Sequence, residues 1–308
     1  MAQPQGGSRP AVLARLSVAT ANGMGSIVET PTDEQQRRVN AHFAARVTDW
    51  ARVYEDLGVF AVIHQQRRAV ALRWIDELGL RPGARILDVG CGAGLTAAAL
   101  ARRGYAVVAI DTVPGMLERT RQTATAVGVA DGVTVALGDV QQLDFPDSSF
   151  DLTLALGVLP WLPSPLGAMA EMARVVERGG YVLVTADNRW RLDHVLDPEV
   201  SPALAPVRRA AGAVLRWFGG RRRKWSGAVA RTVSRAEFGS WLHAVRLVPV
   251  RSTSLGFGPF SWFGHSVFPD SFGLRVHHAL QALADRGIPG IRWAGAQYLV
   301  LARHRGSG

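Results

Sequence analysis

The sequence predicts an α/β fold: a doubly wound, mostly parallel, seven-stranded sheet with helices on both faces, preceded by a helical lid and followed by cap insertions. Three observations predict it. Short runs of branched apolar residues alternate with helix-length stretches from Arg85 to Thr185, the rhythm of strand–helix–strand units whose right-handed crossovers build a parallel sheet. The first of these runs ends in a glycine turn, Asp88-Val89-Gly90-Cys91-Gly92-Ala93-Gly94. At 308 residues and 48% hydrophobic, the chain is long enough to bury a large core as one decorated domain.

Residues 1–32 lack periodicity and read as a disordered leader, with an amphipathic arm at Ala11–Ala21 as the alternative. Residues 33–80 read as a helical lid. Asp33 and Glu34 suit a first turn, and Val39, Phe43, Val47, Trp50 and Tyr54 recur at spacings of three and four. A second helix, about His64–Leu78, is stopped by Gly79 and by Arg81-Pro82-Gly83.

The core spans 81–188. Its strands are Arg85–Val89, Ala106–Ile110, Val133–Gly138, Phe150–Leu156 and Tyr181–Thr185. Its helices are Leu95–Arg103, Pro114–Val127 and Leu166–Val176. Residues 189–295 form the cap. They hold helices at Pro206–Phe218 and Leu274–Arg286, a capping box at Ser234–Glu237 opening a helix through Val245, and a sixth strand, Leu247–Ser254. The last strand, Ala296–Ala302, and a tail make up 296–308.

Composition removes several classes. The single cysteine, Cys91, excludes an internal disulfide and a cysteine-rich zinc site, and suits a reducing cytoplasm. No apolar run approaches the roughly 20 residues of a membrane helix. The net charge of +10 points to an anionic partner. Lys224 is the only lysine, however, and so strong an arginine skew also arises from coding bias.

The glycine turn is the chemical clue. Gly90, Gly92 and Gly94 are spaced GxGxG, whereas the dinucleotide fingerprint needs a glycine where Leu95 stands, and no phosphate-loop lysine follows. Asp88 would repel a pyrophosphate but suits a cation. Asp111, ending the next strand, sits where an acid accepts from ribose hydroxyls. Together they describe an adenosyl ligand with an amino-acid tail in place of phosphates.

Four ordered motifs, LDVGCGAG, AID ending at Asp111, GDVQQLDFPDSSFDLTLALGVL and MARVVERGGYVLVT, resemble the Rossmann-like class I S-adenosylmethionine-dependent methyltransferases of the small-molecule, type 11-like kind. The resemblance covers Arg81–Asn188. It implies S-adenosyl-L-methionine as cofactor. Asp88, Gly90 and Gly92 would line its methionine part and ribose, with backbone contacts from Cys91 and Ala93. Asp111 would hold the ribose hydroxyls, with Thr112 and Met116 near the adenine. Asp139 would accept from the adenine amino group, Val140 would stack on the ring, and Leu156 and Gly157 would pass beneath the sulfonium. Tyr54 would close over the donor.

The chain departs from the family after the fourth strand, where many relatives carry an acid and a histidine and this one has Leu159-Pro160-Trp161-Leu162-Pro163. No general base is offered there. His64 and Asp187 are the catalytic candidates, with His194, His243, His265, His277 and His278 behind them. Trp161, Asn188 and Trp190 are the substrate-contact candidates, Trp161 as either a pocket wall or packing. The aromatic stretch Leu255–Gly273 reads as a satellite core or an apolar wall.

The expected function is methyl transfer to a small or lipid-linked acceptor, with oxygen the preferred atom, in biosynthesis. RNA methylation and a silent donor-binding scaffold remain as alternatives. Residues 208–225 suggest peripheral contact with an anionic membrane; nucleic acid has no recognisable module to support it. No metal is implied, and the oligomeric state is open.

Overall fold

The computed structural model describes residues 31–47, 56–217 and 230–305. The predicted leader up to residue 30, Trp50, Tyr54 and the basic run Arg221–Lys224 lie outside the described residues.

Two helices come first, α1 (Pro31–Ala44) and α2 (Val59–Asp76). α2 begins five residues before its predicted start. The Asp56 carboxylate accepts the N–H groups of Leu57 and Gly58, ordering the entry, and Val59 and Ile63 extend the buried face.

The predicted strand–helix rhythm follows: β1 (Arg85–Val89), α3 (Leu95–Ala101), β2 (Ala106–Asp111), α4 (Pro114–Ala126), β3 (Val133–Leu137), β4 (Phe150–Ala155), α5 (Pro165–Val175) and β5 (Val176–Asn188). β5 starts earlier than predicted. Gly179 and Gly180 lie inside it, at a register shift against β4; a Cβ at Gly180 would fall 2.7 Å from the Asp151 carbonyl oxygen.

The remainder is α6 (Leu192–Leu196), α7 (Ala205–Trp217), β6 (Thr232–Val233), α8 (Arg235–Ala244), β7 (Leu247–Leu255), β8 (Ser261–Trp262), β9 (His265–Ser266), α9 (Asp270–Asp285) and β10 (Gln297–His304). The capping box at Ser234 and Glu237 opens α8 as its sequence signals. The prediction missed β6 and the β8–β9 hairpin, because two-residue strands carry no periodicity.

The main sheet runs β3-β2-β1-β4-β5-β10-β7, seven strands on one path, and β6 adds an eighth by pairing with the end of β5. β1 to β5 are parallel; β10 is antiparallel to both its neighbours. Neighbouring residues of a strand serve opposite faces. Ile86 joins Trp74, Ile75, Leu100 and Leu117 under α2, α3 and α4, while Leu87 joins Met169, Met172 and Leu242 under α5 and α8. The strand order reverses between β1 and β4, so the crevice for a ligand opens at their carboxyl ends.

Candidate functional site

A cavity of about 440 Å3 lies at this switch point. One half is built on β1, β2 and β3: the glycine turn, Asp111, Thr112, Met116, Asp139 and Val140 line it. The other half lies over β4, β5 and β10, lined by Leu156, Gly157, Asp187 and Gln297, with His64 and Arg67 from α2. α1 closes the top.

The glycine turn is held by its neighbours. Gly90, Gly92 and Gly94 all adopt positive φ, at 63°, 54° and 77°. A Cβ at Gly94 would fall 2.7 Å from Thr120 Cα, whereas one at Gly92 would meet no protein atom within 4 Å. From α4, the Thr120 hydroxyl donates to the Gly92 carbonyl at 2.9 Å and the Thr123 hydroxyl donates to that of Ala93 at 2.7 Å. Asp111 accepts the Gly92 N–H at 3.1 Å through Oδ2 and the Val113 N–H at 2.9 Å through Oδ1. Cys91 is buried with its Sγ 3.4 Å from the Thr120 hydroxyl, and burial raises its thiol out of any reactive range.

Two acids share this half. Burial, followed by repulsion from Asp111, pushes Asp88 up to about 7, and its Oδ2 is buried with no partner among the described residues. Burial also raises Asp111, against the pull of its backbone donors. Each carboxylate of the pair raises the cost of ionising the other, and a cation between them would offset it. Asp139 lines the cavity and accepts the Gln141 N–H at 2.9 Å, a turn contact of its own.

The lid touches both halves. Thr112 donates its hydroxyl to Asn40 Oδ1 at 2.9 Å. The Trp161 ring stacks on His42 at 5.6 Å and meets Phe43 edge-on at 5.2 Å. Trp161 therefore both walls the cavity and packs the lid.

In the second half, Gln297 bridges opposite charges: its Oε1 accepts from Arg67 Nη1 at 3.2 Å and its Nε2 donates to Asp187 Oδ1 at 2.9 Å. Burial raises Asp187, partly offset by Arg191, Gln297 and Arg67. Burial and then the Arg67 charge push His64 down to about 4, and its Nδ1 lies 2.8 Å from the Phe60 carbonyl oxygen. The ring is thus neutral at pH 7, with that proton on Nδ1.

Residues 87–184 match the model of the methyltransferase domain family. The chain is built on the class I S-adenosylmethionine-dependent methyltransferase fold. Among curated relatives, a sterol 24-C-methyltransferase of Yarrowia lipolytica is 37% identical over 105 residues, covering 34% of this chain and 28% of that protein. A ubiquinone biosynthesis O-methyltransferase of Alkalilimnicola ehrlichii is 33% identical over 166 residues, 53% of this chain and 66% of that protein. The chain thus spans less than two thirds of the length of these relatives. Magnesium protoporphyrin IX methyltransferase from Synechocystis PCC 6803, solved with bound SAH, superposes with a TM-score of 0.57 at 18% identity, over 87% of this chain and 99% of that one.

The cavity collects most of the sequence candidates: Asp88, Gly90, Cys91, Gly92, Asp111, Thr112, Met116, Asp139, Val140, Leu156, Trp161, His64 and Asp187 all line it. Two candidates are corrected. Asn188 is 0% exposed and fully engaged: Nδ2 donates to the Trp293 and Gly295 carbonyls, and Oδ1 accepts from the Trp190 N–H and the Tyr298 hydroxyl. It staples β5 to the segment entering β10 and has no capacity left for a substrate. Trp190 stands outside the cavity lining and half-exposed. His194, His243, His265, His277 and His278 also lie outside it. Sequence reasoning missed Asn40, Arg67, Arg191 and Gln297, which no local motif marks.

The residues fit the donor that this fold implies. The unpartnered Asp88 oxygen and its raised proton affinity call for a cation, and the open space at Gly92 lets a ligand touch backbone.

Proposed function

We propose that the protein is an S-adenosylmethionine-dependent methyltransferase acting on a small or lipid-linked organic acceptor in biosynthesis. The observation that carries this reading is the buried Asp88–Asp111 pair beside an open glycine turn. Asp88, Gly90 and Gly92 hold the methionine part and ribose of the donor; Asp111 accepts from the ribose hydroxyls; Asp139, Val140, Thr112 and Met116 take the adenine. When bound, the donor supplies a methyl group on an already activated, positively charged sulfur.

The chain itself aligns and encloses. Leu156 and Gly157 form the floor between the halves, and α1 with Trp161 excludes water. An acceptor hydroxyl must also lose its proton. Asp187 takes that proton: burial strengthens it as a base, and Gln297 fixes its orientation. Labelled-methyl transfer into extracted metabolites and lipids tests the reading. Label in a lipid or small molecule that is lost in Asp111→Ala supports it; label confined to RNA, or none, overturns it.

The same reading includes cytoplasmic protein touching an anionic membrane face. Supporting it, Trp262 and Phe263 at the hairpin tip are 55% and 57% exposed, and Arg209 is exposed on α7. No described helix is long and apolar enough to cross a membrane. Co-sedimentation with phosphatidylglycerol vesicles but not phosphatidylcholine vesicles is the expected result; equal recovery with both removes this part.

A further inference from the structure

The β8–β9 turn holds a phenylalanine where turn chemistry asks for a smaller residue. The two strands pair Ser261 with Ser266 and Trp262 with His265, so Phe263 and Gly264 alone make the turn. Both have positive φ, 49° and 76°. Such two-residue turns favour Asn, Asp or Gly, and a bulky aromatic there costs backbone energy. Phe263 is nevertheless 57% exposed and Trp262 beside it 55% exposed, so burial within this chain does not offset that cost.

The turn is also held in place. Buried Asp197, just after α6, accepts from the Ser261 hydroxyl and from the N–H groups of Phe263, at 3.1 Å, and Gly264, at 3.4 Å. The same stretch leads into α7, where Arg208 Nη1 donates to the Pro198 and Ser201 carbonyls. Hairpin and α7 are therefore tied to one segment, 197–201. Leu204, Val207 and Ala211, spaced three and four apart, share a face of α7 and the turn entering it, and all three are exposed.

We infer that the hairpin and α7 seat the protein on an anionic bilayer, and that the methyl acceptor is a lipid taken up from that bilayer at the base of the hairpin. Charge favours this occupant over a second copy of the chain. Between Glu199 and Glu237 the sequence carries arginines and a lysine but no acid, Arg209 is exposed on α7, and a net charge of +10 opposes self-association. This inference rests on the methyltransferase reading and narrows its acceptors from small or lipid-linked molecules to bilayer-resident ones.

The path into the cavity starts at the same hairpin. Gly258 and Pro259 line the cavity, and Phe260, next in the chain, accepts the Val267 N–H across the hairpin. Phe260 meets Phe268 at 6.1 Å and Phe268 meets Phe272 at 5.0 Å, an aromatic row from the cavity wall to the exposed start of α9. Phe60 of α2 lines the cavity and is half-exposed. A Cβ at Gly273 would fall 3.1 Å from Val59 Cγ2, so α2 and α9 meet where that row ends. An apolar tail thus stays in the bilayer while the reactive head reaches Leu156 and Asp187.

The test uses the full chain and the variant Phe263→Asn. Asparagine suits the left-handed turn, so this variant keeps or raises the melting temperature and leaves S-adenosylhomocysteine affinity as it was. Its binding to phosphatidylglycerol vesicles in co-sedimentation falls about tenfold. Unchanged vesicle binding overturns the inference. So does an unaltered protein that sediments as a dimer and a Phe263→Asn variant that sediments as a monomer, which would assign the face to a second copy. Should Phe263→Asn fail to fold, Trp262→Ser carries the same expectation. Labelled-methyl transfer then reads the acceptor, with an extract of the source cells split into an aqueous fraction and a lipid fraction offered in phosphatidylglycerol vesicles. Label enters the lipid fraction. Phe263→Asn lowers it about tenfold on vesicles but not when the same lipids are dispersed in dodecyl maltoside. Label in the aqueous fraction alone, or equal losses on vesicles and in detergent, overturns the inference and leaves the methyltransferase reading standing. Label in neither fraction defeats that reading, and the inference with it.

Discussion

The Asp111 carboxylate accepts the Gly92 N–H at 3.1 Å, tying the end of β2 to the glycine turn that follows β1. The same side chain accepts from Val113 and so fixes the entry to α4, whose threonines hold the turn from behind. One acid therefore shapes the crevice and lines the cavity within it. Asp111→Ala lowers donor affinity by roughly 1–3 kcal/mol, about 5- to 150-fold, measured by calorimetry with S-adenosylhomocysteine. Unchanged affinity would take Asp111 out of the site.

Two glycines of the turn, Gly92 in the cavity lining and Gly94 behind it against Thr120, separate stability from binding. Gly94→Ala drives a methyl into Thr120 on top of an unfavourable φ, and its main effect is a loss of roughly 2–4 kcal/mol in urea unfolding. Gly92→Ala meets no protein atom, so it loses roughly 1 kcal/mol from its backbone alone. Its methyl enters the space assigned to the donor, and S-adenosylhomocysteine binding weakens. Equal loss of binding in both variants, at equal stability, would contradict the placement.

Asp88 makes donor binding depend on pH. Its folded proton affinity, about 7, lies above the ordinary aspartate value of roughly 4. Between these values the empty folded protein holds a proton that the unfolded chain has released. The contribution of Asp88 to stability therefore falls as pH rises through that window. A cationic donor favours the ionised carboxylate, so its affinity rises as pH climbs from 6 to 8. Asp88→Asn flattens this profile in calorimetric titrations across the range. A profile equally steep in the variant would assign the dependence elsewhere.

Asn188→Ala leaves the buried Gly295 carbonyl, the part-buried Trp293 carbonyl and Trp190 N–H, and the Tyr298 hydroxyl without their partner. A loss of roughly 2–4 kcal/mol in urea unfolding follows, with donor affinity retained in the folded protein. Normal stability with altered acceptor affinity would restore Asn188 as a substrate contact.

Most of the sheet was legible because its strands are continuous apolar runs broken by glycine and proline; its order was not, because right-handed crossovers fit more than one doubly wound order. The half of the cavity built on β1, β2 and β3 was legible for the same reason: its side chains come from the ends of consecutive strands, close together in sequence. The half over β4, β5 and β10 was not. Arg67 and Gln297 meet from 230 positions apart, and each alone reads as an ordinary polar residue. Asn188 misled because a polar residue just past a strand end resembles a ligand contact; only the four hydrogen bonds around it reveal a staple. Asn40 was hidden between Val39 and Phe43, which line the same cavity and whose apolar spacing drew attention to packing alone.

The central claim is that the cavity between β1 and β4 is a seat for a sulfur nucleoside, and a co-crystal structure with S-adenosylhomocysteine tests it most directly. Density for the ribose against Asp111, the adenine by Asp139 and Val140, and the amino-acid tail along Gly90 and Gly92 is the predicted result. A cavity that stays empty at saturating ligand, or a nucleoside bound elsewhere on the protein, would contradict it.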